Sequence, residues 1–87
     1  MFDNIKKMQE LKRLQDSFKA ERETVQKRGV SVTVNGNMEV EAITLNPALE
    51  TREAEVVLRE CINDATKAIQ KRLAKMMMSA GGGLPGF

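Results

Sequence analysis

The chain contains no His, no Trp and no Tyr, a single Cys at position 61, and only three Phe in 87 residues. Without His, the Ser-His and Cys-His pairs of nucleophilic catalysis are excluded, as are metal sites that need imidazole. One Cys permits no internal disulfide, which fits a reducing cytosol. Cys61 falls on an apolar helical face, where a packed thiol is the simpler reading than a reactive one. No apolar run approaches the roughly 18 residues of a membrane span, and no secretory signal precedes the first helical stretch. Ser, Lys and Glu are available, but no spacing among them marks a catalytic site, so no catalytic residue, cofactor, metal or small-molecule substrate is assigned. So few aromatics in so short a chain leave a thin core, since a domain of this size buries only roughly 60% of its unfolded surface. A second copy is expected to complete it.

What is present is a patterned centre. Val30, Val32 and Val34 alternate with Ser31, Thr33 and Asn35, the period of a half-buried strand. Asn35-Gly36 supplies a turn in which Gly36 is expected at positive φ. Met38, Val40 and Ala42 alternate against Glu39 and Glu41, and beyond Ala42 the phase changes to Ile43 and Leu45. That change marks a bulge, or a bend into a short third strand. Pro47 ends the run.

Long helices flank this centre. Residues 3–28 read as one helix capped by Asp3 or Asn4, with Met8, Leu11, Leu14, Phe18 and Val25 in a stripe that lapses near Glu21-Arg22. Gly29 fits the position that closes such a helix. A second helix is expected from Thr51, its cap, to about Met78, with Leu58, Ile62, Ala65, Ile69, Leu73 and Met76 on one face and Val57, Cys61 and Ala68 beside them. At about 1.5 Å per residue these rods reach roughly 40 Å, twice a six-residue strand. They therefore overhang the sheet. The fold class is α+β: long helix, small antiparallel sheet of two to three strands, long helix. Residues 1–78 form a single domain, and residues 79–87 a flexible Gly-rich tail. The dimer is expected to bury Leu11, Leu14, Phe18, Leu58, Ile62 and Ile69. An antiparallel pair of helices would set Phe2, Ile5 and Met8 beside Leu73, Met76 and Met77.

Net charge is a mild +2, but it is unevenly spread. Residues 1–29 hold eight Lys/Arg against five Asp/Glu, residues 30–51 three acids and no base, and residues 52–87 six bases against four acids. Beyond Asp64 there is no acidic side chain at all. Arg22, Arg28, Lys71, Arg72 and Lys75 have no acid three or four residues away, and Lys6 and Lys7 join them at one end if the helices are antiparallel. These seven are the candidate contacts for a polyanion. The simpler reading of the bases late in the second helix is that they complement its dipole.

Four pieces, in this order and spacing, tip the balance: Thr33-Val34-Asn35-Gly36, Leu45-Asn46-Pro47, Asn63-Asp64-Ala65 and Leu84-Pro85-Gly86-Phe87. Together they resemble the YbaB/EbfC family of bacterial nucleoid-associated proteins, over nearly the whole chain. The resemblance implies an intertwined homodimer with projecting helices, binding to double-stranded DNA with little sequence preference, and a place on the bacterial chromosome in the cytoplasm. The family has no short signature for its DNA contacts, so the seven bases rest on charge alone. The rival from another class is a prefoldin-like chaperone or coiled-coil scaffold with apolar helix tips. A basic amphipathic helix on a membrane surface would need apolar faces left free by the sheet and the partner.

Overall fold

The computed structural model describes residues 2–81. In chain order they form α1 (Phe2–Ala20), β1 (Arg22–Lys27), β2 (Val30–Asn35), β3 (Val40–Thr44) and α2 (Thr51–Gly81). The three strands make one antiparallel sheet in the order β1-β2-β3. The α+β class and the helix–sheet–helix order agree with the sequence reading.

The first helix is shorter than the pattern implied, since residues 22–27 are a strand. The β1–β2 pairing is complete from Arg22↔Asn35 to Lys27↔Val30. Arg28 (φ 50) and Gly29 (φ 81) both take positive φ, the two-residue turn that matches strand twist. Gly29 thus closes a hairpin rather than a helix, and the third strand comes from the N-terminal side. The bulge lies one residue earlier than expected. Thr33 faces Ala42 while Val34 faces Val40, which leaves Glu41 as the extra residue.

Gly36 is not at positive φ; Met38 is (φ 64). The β2–β3 turn is closed instead by the Asn35 side chain. Its Oδ1 accepts from the Asn37 and Glu39 amides at 2.9 and 3.1 Å, and its Nδ2 donates to Glu41 at 3.1 Å. Gly36 serves a different need. A Cβ there would lie 1.6 Å from the Phe18 carbonyl oxygen, so only glycine lets the end of α1 approach β2.

One face of the sheet carries α2. Val30, Val32 and Val34 are fully buried against Val57, Cys61, Ala65 and Ile69, a helical stripe of spacing four. Each buried valine contributes about 1.5–2 kcal/mol. Cys61 is the packed thiol expected, and its Sγ donates to the Val30 carbonyl at 3.7 Å. The Glu50 carbonyl accepts from the Ala54 amide at 2.8 Å, so Glu50 caps α2 and Thr51 is its first helical residue. The helix runs on past Met78 to Gly81. The tail assigned to residues 79–87 therefore begins inside α2, and its remainder, 82–87, lies outside the described residues.

The helix α2 lies over β1 and β2 but not over β3. Val40 and Ile43 point to the same side as the core yet are 43% and 46% exposed. On α2 itself the half-buried Leu58 and Ile62, with Glu55, Arg59 and Asn63, line an open groove of about 250 Å³. The helix α1 meets the body chiefly at β2 and shares no extended contact with α2. Ile5, Met8 and Leu11 on it are 52%, 70% and 60% exposed. The side-by-side antiparallel tips are therefore absent from the protomer.

Candidate nucleic-acid interface

The seven candidate bases separate into two groups. Three arginines with no acid three or four residues away find one across the fold. Arg22 Nε lies 2.6 Å from Glu41, Arg28 Nη2 lies 3.0 Å from Glu53, and Arg72 reaches Glu21 at 2.9 Å and also Glu23. The paired carboxylates hold the Arg72 guanidinium above its already high ordinary pKa, Glu21 contributing most. Lys6, Lys7, Lys71 and Lys75 enter no ion pair among the described residues. All four are exposed.

Lys67, Lys71 and Lys75 follow one another at i, i+4 and i+8 and so share one exposed face of α2. The strand β1 shows why its signal was weak. Its inward residues are Glu23, Val25 and Lys27, and only Val25 is apolar. Lys27 answers Asp64 at 2.6 Å and Glu60 at 3.8 Å, while Glu23 answers Arg72. The hydrogen bond from Lys27 draws the Asp64 carboxyl below its ordinary pKa, with Lys67 adding to the effect. Lys67 is therefore less well neutralised than the sequence implied, because Asp64 is committed to Lys27. The β1 signal that was present is Thr24-Val25 between a lapse in the helical stripe and Arg28-Gly29.

Of the expected interface residues, Leu11 is exposed and Leu14, Phe18, Leu58 and Ile62 are half-buried. Ile69 corrects the expectation. It is 0% exposed in the core of the protomer itself and has no surface left for a partner. Among the described residues, no group of three or more His, Cys, Asp or Glu could hold a metal ion. Nor is any described helix long and apolar enough to cross a membrane.

The sequence model of the YbaB/EbfC DNA-binding family matches residues 1–84. The chain belongs to that family. No solved structure matches it. Membership makes DNA the partner class, and the fold explains the motif pieces that carried the resemblance. Asn35 closes the β2–β3 turn and Gly36 admits α1. Asn46 accepts from the Ala48 amide at 3.0 Å and donates to the Arg28 carbonyl at 2.9 Å, tying the loop before α2 to the β1–β2 turn. Asp64 anchors Lys27, and Ala65 is fully buried on the face of α2 that meets the sheet. Residues of these three family motifs hold the YbaB/EbfC scaffold together. The fourth, Leu84–Phe87, lies outside the described residues.

Proposed function

We propose that this protein is a homodimeric nucleoid-associated protein that binds duplex DNA through phosphate contacts with little preference for sequence. The observation that carries the reading is the run of α2 past Asp64. It is free of acidic side chains, extends beyond the sheet, and presents Lys67, Lys71 and Lys75 on one exposed face. The bases of α1, Lys6 and Lys7 among them, form a second positive surface. Ammonium groups on these arms neutralise phosphates and release counterions, and phosphates carry no sequence information. The outer face of the sheet, with Thr24, Gln26, Ser31 and Thr33, is polar, and the segment from Val30 to Thr51 has no base, so it faces away.

A second copy suits the uncovered strip formed by Val40, Ile43, Leu58 and Ile62, and the stripe on α1 that includes Leu11, Leu14 and Phe18. Such a strip is large for a soluble monomer to leave open.

Titration of two unrelated duplexes by fluorescence anisotropy at two salt concentrations tests the reading. Both duplexes should bind about equally. Replacing Lys71 and Lys75 by Ala removes four charges per dimer and should flatten the log–log salt slope by up to roughly four. A double variant that keeps wild-type affinity and slope would remove α2 from the interface. Because Lys27 already occupies Asp64, Arg28→Ala is a better matched control than Lys67→Ala. The exposed Ile5, Met8, Leu11 and Met78 favour the chaperone reading, and protection of a denatured client without DNA binding would select it.

A further inference from the structure

The junction between α1 and the sheet is a single residue, Glu21, and an unusual number of polar contacts converge on it. The Glu21 amide donates to the Phe18 carbonyl at 3.0 Å, and its carbonyl accepts from the Gly36 amide at 3.1 Å. Arg22 Nη1 donates to the Lys19 and Ala20 carbonyls at 3.1 and 2.8 Å, satisfying the last turn of α1. The same guanidinium grips Glu41 of β3 through Nε and Nη2. From the other side Arg72 of α2 forks onto Glu21 and Glu23. These five ionic side chains are only partly exposed, Glu23 at 23% and Glu21 at 29%. Two arginines with planar forks thus tie the root of α1 to β3 and to α2, with a fixed geometry that the point charge of a lysine does not impose.

We propose that Arg22 and Arg72 are positioning residues. They fix the direction in which α1 leaves the body, and so the spacing between its lysines and those of α2, without touching DNA themselves. This rests on the DNA-binding reading above and departs from assigning both arginines to phosphate. Two positive arms on a rigid mount engage one duplex with less ordering cost than two arms that swing freely. The ion pairs are geometric devices here, and their individual effect on stability is small.

The test sets charge against geometry. Glu21→Gln with Glu23→Gln frees Arg72 and raises the formal charge per protomer from +2 to +4, since two carboxylates are neutralised. If Arg72 were a phosphate contact, this variant would bind duplex DNA more tightly. The mount requires the reverse: affinity falls by about three- to tenfold at physiological salt as pre-organisation is lost. Arg72→Lys keeps the charge but not the fork, and should lose affinity similarly while the salt slope stays at the wild-type value. Circular dichroism melts establish that both variants are folded, and the buried Val30 and Val32 of β2 pair away from the substituted positions. Equal or tighter binding by the double variant overturns the proposal, as does Arg72→Ala with a slope reduced by about one per protomer. Wild-type protein that binds no duplex would overturn the DNA reading and the proposal together.

Discussion

Gly36→Ala isolates what seats α1 on the body. The added methyl would stand 1.6 Å from the Phe18 carbonyl oxygen and 2.4 Å from its carbon, both backbone atoms that no rotamer change can remove. One side must move. The Asn35–Glu39 turn is held by two side-chain bonds to backbone amides and two backbone bonds, Asn35 amide to Glu39 carbonyl and Met38 amide to Asn35 carbonyl, both at 3.0 Å. The end of α1 has less holding it, so α1 should unseat. Leu14 and Phe18 are half-buried, and exposing each forfeits about 1 kcal/mol, half the value for full burial. The bond from the Gly36 amide to Glu21 adds about 1 kcal/mol. A total near 3 kcal/mol corresponds, for a domain of this size, to a Tm lower by roughly 12–24 °C. The assay is a thermal melt at fixed protein concentration, with hydrogen exchange along the chain. The core valines and Ile69 should keep their protection while residues 14–20 lose theirs. A Tm shift under about 3 °C, or uniform loss of protection, would refute the reasoning.

Two further outcomes follow from the same contacts. Leu58→Asp places a carboxylate on the open strip but outside the closed core, so sedimentation should show a folded monomer; Ile69→Asp should unfold the chain. A wild-type protein that is itself a stable monomer at micromolar concentration would refute the dimer. The Lys27–Asp64 pair gives a signed pH dependence. Asp64 has its pKa lowered, so the stability it supplies is present above the ordinary value of 3.8 and is lost as pH falls through the lowered one. Lys27 has its pKa raised by Asp64, so while Asp64 is ionised the pair's stability is present below 10.5 and is lost as pH rises through the raised value. The melting gap between wild type and Asp64→Asn should therefore be open at neutral pH and close at both extremes. A gap unchanged at about pH 2 would show that Asp64 acts by another route.

The parts of the fold legible in the sequence are those whose information is local. Val30, Val32 and Val34 announce a strand by alternation alone, and the stripe from Val57 to Ile69 announces a helix. What was missed depends on partners far along the chain. The inward positions of β1 are charged at Glu23 and Lys27, and they become acceptable only when Arg72 and Asp64 arrive some forty residues later. Read by itself, Glu21–Lys27 looks like solvated helix. The site suffered in the same way. Local spacing left Arg22, Arg28 and Arg72 without acids, whereas folding supplies each with one. Lys71 and Lys75 kept their status because, among the described residues, no carboxylate forms an ion pair with either. Gly36 was singled out as a turn residue, but its role is set by the carbonyl of Phe18, which local sequence could not reveal.

The one-residue link at Glu21 joins two different periods without slack. A helix advances its faces by about 100° per residue, a strand by a half-turn. One residue added or removed there would either exchange Glu23, Val25 and Lys27 for Arg22, Thr24 and Gln26 on the buried side, or turn the whole of α1 about its axis. In the first case α2 meets the wrong charges; in the second the lysines of α1 aim elsewhere. Chain length in relatives should therefore be fixed across the end of α1, which an alignment of the family would reveal.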